Sequence, residues 1–504
     1  MKLARLLGEA GIEGAGAGDA EVTGFAIDHR KVAPGTVFGA FRGASVNGED
    51  FIAAAVQAGA VAVVARPDAQ VAGALHIPDP EPRRAFARIA ARFFAPVPAH
   101  LVAVTGTNGK TSTVEMVRQI WRMAGERAAS IGTLGVTTPD ESVSTGLTTP
   151  DIVTFLANVS GLAREGVTHI AFEASSHGLS QYRNEGVSVE AGGFTNLSRD
   201  HLDYHADMDD YFRAKMRLFD EVVDPAGWGV VWSDDEWSDR AAAHVRARPL
   251  RLFSVGSTSL DGSDGLFLKS RTPSALGQTL EVECRGESRR IELPLIGAYQ
   301  AANALMAAGL VIVTGGHVGR TFDALSRLQP VRGRLERAAI TAAGAPVYVD
   351  YAHTPDAIEA AIAALRPHVA QGKGGRLITV MGAGGDRDHG KRGPMGAAAA
   401  KGSELVIVTD DNPRGEDPAA IRAAVMAGAG KGAREIGDRC EAIRAAIAEA
   451  REGDIVLVAG KGHEQGQIVG AGVEMRVLPF DDVTVVRECA GGPGQGPASG
   501  SVAA

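Results

Sequence analysis

One stretch, LVAVTGTNGKTSTVEMVRQIWRMAG at residues 101–125, constrains the fold of this 504-residue chain more than any other. A β-branched run enters a glycine turn and continues into a segment of helical period. The apolar stripe of that segment consists of Val114, Val117, Ile120, Trp121 and Ala124. A strand followed directly by a glycine loop and an amphipathic helix predicts an α/β unit whose loop directs backbone N–H groups at an anion.

The loop GTNGKT predicts a phosphate site for ATP. Lys110 is expected to reach the β- and γ-phosphates, and the Thr111 hydroxyl is expected to ligate Mg²⁺. Val104 stands where the longer G-x-x-x-x-G-K-[ST] pattern has its first glycine, so the loop is a shortened form. The alternative is an ordinary strand-to-helix turn with an exposed lysine. The predicted ATP-binding residues of the loop are Gly106, Thr107, Asn108, Gly109, Lys110, Thr111 and Ser112.

Charge and cysteine usage exclude several classes of protein. The net charge of -9 disfavours a general affinity for nucleic acid or anionic membranes. The longest apolar stretches, such as 52–65, are shorter than the ~20 residues that span a bilayer, and the N-terminus has neither a signal-peptide core nor a transit peptide. Cys284, Cys440 and Cys489 show no CxxC spacing and are interpreted as reduced thiols. We expect a cytoplasmic protein without membrane insertion or nucleic-acid partner.

Short β-branched runs alternate with Ala-rich segments of helical period, which predicts an α/β fold of parallel sheets covered by helices. At roughly 150 residues per domain, the length predicts about three domains. The prolines of PVPAH at 96–100 predict a linker, and a new doubly wound segment is expected from about PVRGRLE onward. The predicted ranges are 1–97, 98–330 and 331–488, followed by a disordered tail at 489–504 that contains GGPGQGPASGSVAA.

Polar residues follow two apolar strands of the middle segment, in FEASSHGLSQYR and TNLSRDHLDYHADMDDYFRAKMRLF. Because α/β proteins bind ligands at the carboxyl ends of their strands, we expect a site there. Glu173 is the best-placed carboxylate for Mg²⁺, and His201 is a candidate ligand of a second metal. Taken singly, Glu173 is equally compatible with a solvated strand end, and His201 and Lys215 with surface side chains.

The third segment carries a composite polar site of a different kind. GAGGDRDHGKR is not a dinucleotide fingerprint, because Arg387 occupies the position of the last glycine. Its cations Arg387, Lys391 and Arg392 suit a carboxylate or phosphate. TDDNPRGEDP and VAGKGHEQ follow two further strand candidates, so three strand ends are expected to converge.

Together with VDYAHTPDAIEAA at 349–361, these motifs resemble the Mur ligase family, and within it the branch that adds diaminopimelate. The resemblance runs from about residue 20 to about 485. It implies an N-terminal UDP-sugar-binding domain, a central P-loop ATPase-like domain with a parallel sheet, and a Rossmann-like amino-acid-binding domain. It also implies a cytoplasmic, monomeric ligase of peptidoglycan synthesis. That enzyme would join meso-diaminopimelate to the D-glutamate γ-carboxylate of UDP-MurNAc-L-Ala-D-Glu through an acyl phosphate, forming ADP and phosphate.

Site residues carry over from the family position by position. The implied catalytic residues are Lys110, Glu173, His201 and Lys215, the last as a carbamylated N6-carboxylysine. The implied ligands of two Mg²⁺ ions are Thr111, Glu173, His201 and Lys215. Beyond the loop, ATP is expected at Asn303, Arg334 and Asp350. The nucleotide-sugar dipeptide is expected at His29, Thr148, Thr149, Ser175, Gln181 and Arg183. Diaminopimelate is expected at Arg387, Asp411, Asn412, Pro413, Arg414, Gly460 and Glu464.

The chain departs from the family pattern at a few positions. His29 stands within Asp-His-Arg where the family usually has Asp-Ser-Arg, and Gln300 replaces a common asparagine. The uridine-side segment reads Ala44, Ser45, Val46. The base that deprotonates the amine is not identified, although His205 and Asp203 are candidates.

The predicted preference for diaminopimelate over lysine depends on Arg414. Diaminopimelate differs from lysine by one carboxylate, which an arginine binds bidentately, and lysine-adding relatives lack this arginine. The alternatives are a lysine-adding ligase, a folylpolyglutamate synthase, which shares the phosphate loop, and a nucleotide-binding regulator without ligase activity.

Overall fold

The computed structural model describes residues 1–12, 18–43, 46–138, 141–143, 148–202, 204–260, 262–274, 277–369 and 374–491. Its helices are α1 (Leu3–Ala10), α2 (Ile52–Gln57), α3 (Pro82–Phe93), α4 (Lys110–Met123), α5 (Ile152–Arg164), α6 (Ser176–Ser180), α7 (Met208–Arg217), α8 (Ser238–Arg246), α9 (Ala298–Val313), α10 (Val318–Leu325), α11 (Pro355–Leu365), α12 (Arg392–Gly402), α13 (Pro418–Ala429), α14 (Arg439–Glu449) and α15 (Asp482–Ala490).

The strands of the described residues form three main sheets and one hairpin. They are β1 (Gly24–Ala26), β2 (Thr36–Gly39), β3 (Ala60–Ala65), β4 (Leu75–Pro78), β5 (His100–Thr105), β6 (Ala128–Gly132), β7 (Gly135–Thr137), β8 (Ser142–Val143), β9 (His169–Glu173), β10 (Val189–Phe194), β11 (Val223–Trp232), β12 (Arg251–Gly256), β13 (Asp264–Ser274), β14 (Gly277–Cys284), β15 (Glu287–Leu293), β16 (Glu336–Ile340), β17 (Pro346–Asp350), β18 (Leu377–Met381), β19 (Leu405–Val408), β20 (Arg434–Glu435), β21 (Ile455–Ala459), β22 (Gly466–Val469) and β23 (Arg476–Pro479).

The chain divides into two compact units. The first consists of Met1–Leu268, Glu283–Ser288 and Asn303–Ala324. The second consists of Lys269–Val282, Arg289–Ala302 and Leu325–Ala504. Each of the three predicted domain ranges contains one of the main sheets, and the domain boundaries themselves stay predictions. The predicted tail starts within α15, which runs to Ala490, and its residues 492–504 lie outside the described part of the chain.

The first unit holds a parallel sheet in the order β1-β2-β3-β4. It also holds the core of a larger sheet, where β5 lies between β9 and β10 in parallel pairs. Strand β6 continues on one side and β11 and β12 on the other, also in parallel register. Because these strands are parallel, β5, β9 and β10 end at one edge of the sheet.

The second unit holds a sheet in the order β16-β17-β21-β18-β19-β20, in which only the β16–β17 pair of the described strands is antiparallel. Leu457 and Met381 pack on one face, and Val456 and Val458 on the other. This burial on both faces is typical of a parallel sheet covered by helices. The predicted α/β class is therefore confirmed, and β17, β18, β19 and β21 place their carboxyl ends at one edge.

Candidate active site

The phosphate loop lies between β5 and α4. Gly109, with a φ of 87°, precedes the first residue of the helix, Lys110. Gly106 has a φ of 143°, and a Cβ there would overlap the hydroxyl of Thr195, just after β10. Only glycine allows both this backbone conformation and this close approach. The backbone therefore brings the first turn of α4 to the sheet edge, as the sequence predicts for an anion site.

Two lysines converge on one carbonyl of this loop. Lys110 Nζ donates to Gly106 O at 2.9 Å and to Thr107 O at 2.8 Å. Lys215 Nζ donates to the same Gly106 O at 2.8 Å and lies 4.2 Å from the centre of the Tyr211 ring. Lys215 is 1% exposed, so the alternative of a surface lysine is wrong. Burial lowers the pKa of Lys215 well below its usual value, and the charge of Lys110 lowers it further.

His201 and Lys215 are both neighbours of the Tyr211 ring. The centre of the His201 ring is 6.1 Å from the Tyr211 ring, which Lys215 also contacts. Its Nε2 lies 3.5 Å from Asp200 Oδ2. The negative charge of Asp200 partly opposes the lowering of the Lys215 pKa, which burial dominates. The structure thus brings His201 and Lys215 together and adds Asp200, an acid that the sequence analysis did not single out.

Glu173 is a buried strand end, 2% exposed, and not a solvated one. Its carboxylate accepts hydrogen bonds from the Thr133 backbone N–H at 2.7 Å and from the Thr133 hydroxyl at 3.1 Å. Glu173 and Thr111 line one small pocket, together with Ser130 and Glu115. The sequence pattern did not single out Thr133, although its position directly after β6 could have indicated a residue of the site.

These residues fit a hydrated divalent cation. The described residues contain no group of three His, Cys, Asp or Glu side chains able to hold a metal ion. Thr111 and Glu173 nevertheless offer oxygen ligands in one pocket beside the phosphate loop, which suits Mg²⁺ because it keeps waters and binds phosphate oxygens. His201 and Lys215 lie together at the Tyr211 ring, so a modified Lys215 could add further oxygens.

Five of the six predicted dipeptide-binding residues form one connected set. Thr149 Oγ1 donates to Glu173 O at 2.9 Å, and Ser175 N donates to Thr149 Oγ1 at 3.2 Å. Arg183 donates to Thr149 O at 2.8 Å and to Gln181 Oε1 at 2.8 Å. The remaining member, Thr148, has its hydroxyl 3.1 Å from the Thr133 hydroxyl, which also bonds to Glu173.

His29, the sixth residue, lies in the β1–β4 domain, where its ring stacks on Phe51 at 4.4 Å. The described contacts do not bring it to the other five. Arg83 of α3 was missed: it donates to Arg42 O at 3.0 Å and packs over the Phe41 ring. Burial, and next the charge of Arg183, lowers the Arg83 pKa.

Of the candidates for the base and for the uridine contacts, His205 and Val46 lie among the described residues. His205 is 3% exposed, and its Nδ1 lies 3.3 Å from Asp210 Oδ2. Asp203 lies outside the described residues, as do Ala44 and Ser45 of the uridine-side segment.

The predicted ATP residues beyond the loop fall in both units. Asn303 belongs to the first unit, and its Oδ1 lies so close to Gly109 that a Cβ there would overlap it. Arg334 and Asp350 belong to the second unit. Asp350 Oδ2 accepts from Leu335 N at 2.6 Å and from the Tyr299 hydroxyl at 3.5 Å. Burial raises the pKa of Asp350 to about 6.

Asp350 makes stability depend on pH. Its pKa is higher in the folded chain than in the unfolded chain, so the unfolded state ionises first as the pH rises from about 4 to 6. The wild type should therefore lose up to about 3 kcal/mol relative to Asp350→Asn across that interval. Thermal unfolding midpoints of both proteins without ligand, from pH 4 to 7.5, measure this widening difference. Tyr299→Phe keeps the carboxyl and is the control; a constant difference for Asp350→Asn would contradict the expectation.

In the second unit, the three predicted strand ends lie at one edge of the sheet, and a fourth, the end of β17, lies there as well. Asp350 ends β17, Arg387 follows β18, Arg414 follows β19 and Glu464 follows β21. Gly384 lies between the two arginines, because a Cβ on it would be 2.8 Å from Arg414 NH1 and 3.9 Å from Arg387 Cγ.

Backbone hydrogen bonds fix the conformation of Arg414. Its φ of 52° lies in the left-handed region, which is uncommon for a residue other than glycine. Arg414 N donates to Ile468 O at 3.0 Å, and Gly470 N donates to Arg414 O at 2.8 Å, so the β22–β23 hairpin fixes this conformation. The side chain donates from NH1 to Gly385 O at 2.9 Å.

Arg392 does not serve as a substrate cation, contrary to the sequence analysis. It is 4% exposed and makes hydrogen bonds of 2.8 and 3.0 Å to Glu416. These bonds, together with the Asp386 backbone N–H, lower the Glu416 pKa to about 2. Arg387, in contrast, is exposed. The ion pair of Arg392 and Glu416 therefore stabilises the loop, whereas the Arg387 side chain lies at the surface.

A second buried lysine, also missed, lies among the remaining predicted residues. Lys461 is 0% exposed and donates to Asn412 Oδ1 at 2.7 Å. It also lies 3.4 Å from Glu464 Oε2 and 3.7 Å from Asp411 Oδ1. The signal was its position between Gly460 and Glu464 in VAGKGHEQ.

Among the described residues, no helix is both long and apolar enough to cross a membrane. Three family models match: Mur ligase family, catalytic domain, at 21–94; Mur ligase middle domain at 104–311; and Mur ligase, glutamate ligase domain, at 333–462.

Individual relatives cover nearly the whole chain. The UDP-N-acetylmuramoyl-L-alanyl-D-glutamate--2,6-diaminopimelate ligase of Zymomonas mobilis is 58% identical over 93% of this chain and 95% of its own length. A solved structure of a ligase of that name is 34% identical, covers 93% of this chain and 95% of its own, and has a TM-score of 0.68. Mycobacterium tuberculosis folylpolyglutamate synthase, solved with ADP, is 19% identical, covers 75% and 91% of the two chains and has a TM-score of 0.61, which shows a shared fold alone.

Proposed function

The chain belongs to the Mur ligase family, and from this premise we propose how its residues carry out the ligation. It is an ATP-dependent ligase of peptidoglycan synthesis that adds meso-2,6-diaminopimelate to UDP-N-acetylmuramoyl-L-alanyl-D-glutamate. The observation that carries this function is the 58% identity to the Zymomonas mobilis ligase over 93% of the chain. The reaction takes place in the cytoplasm, and the enzyme acts as a monomer.

ATP supplies the phosphoryl group. The first turn of α4 and Lys110 hold its phosphates, while Asn303 contributes to the adenine side. The residues that the family resemblance assigns to its phosphate and ribose sides are Arg334 and Asp350. Two Mg²⁺ ions, when bound, neutralise charge on the transferring phosphoryl group. Thr111 and Glu173 hold one of them, and His201 and Lys215 hold the other.

Lys215 serves the second ion as a carbamate. The lowered pKa of Lys215 supports this role, because only a neutral amine attacks the carbon of CO₂. As the nitrogen–carbon bond forms, one C–O π bond of CO₂ breaks and its electron pair moves to oxygen, while one proton passes from the nitrogen to solvent water. The side chain thereby becomes an anionic oxygen ligand. Burial beside the phosphate loop places that ligand where the phosphates bind.

The peptide substrate is held by Thr148, Thr149, Ser175, Gln181 and Arg183, with His29 serving the nucleotide end. The γ-carboxylate of D-glutamate attacks the γ-phosphorus of ATP, the bond to ADP breaks, and an acyl phosphate forms. The amine of diaminopimelate then attacks the acyl carbon and expels phosphate. Arg387 and Arg414 bind the carboxylates of the amino acid, and Glu464 binds its distal ammonium. Asp411, Asn412, Pro413 and Gly460 complete that site.

Substrate-dependent ADP release tests the function. The purified chain with Mg²⁺, ATP and UDP-MurNAc-L-Ala-D-Glu should release ADP on addition of meso-diaminopimelate. Release should be at least about 100-fold slower with lysine, because Arg414 would lack its carboxylate partner. Release with lysine alone would identify a lysine-adding ligase. Absence of release with every amino acid would identify a nucleotide-binding protein without ligase activity.

A further inference from the structure

Lys461 is a buried cation that the proposed mechanism does not use. Its side chain is 0% exposed and forms its hydrogen bonds within the protein. Its Nζ donates to Asn412 Oδ1 and to Gly466 O, both at 2.7 Å, and to Glu464 Oε2 at 3.4 Å. The three N–H groups of the ammonium therefore have three acceptors, which is what a buried charge requires.

These bonds set the orientation of the Asn412 side chain. Its Oδ1 accepts from Lys461 and from Ile468 N at 2.9 Å. With two donors on the oxygen, the amide can present only its Nδ2 to the other side, where it donates to Glu464 Oε2 at 2.8 Å. A flipped amide would place its NH₂ group against both donors.

Glu464 is thereby held through one of its two oxygens. Asn412 and Lys461 both contact Oε2, and none of the groups that the structure describes donates to Oε1. The side chain is 29% exposed, so Oε1 can receive a ligand cation. The two negative charges of Asp411 and Glu464 exceed the single positive charge of Lys461, so the site still attracts an ammonium group.

We propose that Lys461 is a positioning residue that, through Asn412, orients Glu464 toward the distal ammonium of the amino-acid substrate. This inference rests on the proposed function, because it takes diaminopimelate as that substrate. Lys461 therefore contributes to the selection of an amino acid with a second amine, without touching it.

The test compares diaminopimelate with 2-aminopimelate, which keeps both carboxylates and lacks the distal amine. In Lys461→Met, kcat/KM for diaminopimelate should fall about 50-fold, as expected when bonds to a charged group are lost. For 2-aminopimelate it should change less than about threefold, because Glu464 has no partner on that ligand. The KM for ATP should stay unchanged. Lys401→Met, at an exposed lysine paired with Glu359, is the matched control and should behave as wild type.

Three outcomes separate the ideas. An equal fall for both amino acids, or no fall for diaminopimelate, overturns the role of Lys461. If Lys461→Met does not fold, Asn412→Ala breaks the same link, and an unchanged preference for diaminopimelate over 2-aminopimelate in that variant overturns it as well. A wild type that releases no ADP with diaminopimelate refutes the proposed function itself.

Discussion

Lys215→Ala is expected to lower ADP release by at least about 1000-fold, because it removes the oxygen ligand that we propose beside the transferring phosphoryl group. The wild-type Lys215 side chain is buried and donates a hydrogen bond to Gly106 O, and its pKa is lowered by burial. These properties together favour a carbamate. Formate or acetate added at high concentration should recover part of the lost activity, since either can supply a carboxylate in the vacated space. Initial rates with and without these anions measure the effect.

The control lies on the same helix. Arg213→Ala removes an exposed cation paired with Asp210 and should leave the rate within about twofold of wild type, as surface ion pairs contribute little. A fully active Lys215→Ala would refute the role of Lys215. A folded but inactive variant that no carboxylate rescues would show that Lys215 acts only by holding Gly106 O.

Arg414→Ala should lower kcat/KM for diaminopimelate by about 100- to 1000-fold, because a bidentate pair with a carboxylate is lost. The rate with lysine should change little, so discrimination between the two amino acids should collapse. The left-handed backbone at this position is equally costly for alanine and arginine, so the loss reports on the side chain. ADP release with each amino acid gives the two values.

Two further variants sharpen this prediction. Arg414→Lys keeps the charge without the two-pronged geometry, and an intermediate loss is expected. Arg444→Ala removes an exposed arginine paired with Glu441 and should match wild type. Retention of the full preference for diaminopimelate by Arg414→Ala would place its recognition elsewhere, and Arg387 would be the next residue to replace.

Much of the fold was predictable because its signals are local. The β-branched runs at 100–105, 377–381, 405–408 and 455–459 are strands in the structure, and each ends at a predicted polar loop. The phosphate loop was equally clear, since glycines, lysine and helix start follow one another without interruption. The predicted apolar stripe of the helix is correct for Val114, Val117, Ile120 and Trp121, which are buried. Ala124 lies past the end of α4 and is exposed.

The environment of the charged residues was less predictable. Arg392 and Arg387 are both cations in one loop, so the sequence pattern predicts the same role for both, yet Arg392 is bound to Glu416, 24 residues away in the chain. The role of Lys461 was not predictable for a similar reason, since its hydrogen-bond partner Asn412 lies 49 residues away in the chain. The sequence does not show whether the partner of a charged side chain is water, a protein group or a substrate.

By itself, the sequence determined the parallel sheets, the position of the phosphate loop and, through resemblance, the set of residues at the strand ends. These depend on periodicity and on neighbouring residues. Only the tertiary structure decided that Lys215 is buried against Gly106, 109 residues earlier in the chain, and that Lys461 orients Asn412. Burial and charge pairing are long-range properties, because they depend on which distant segments the packed sheets bring into contact.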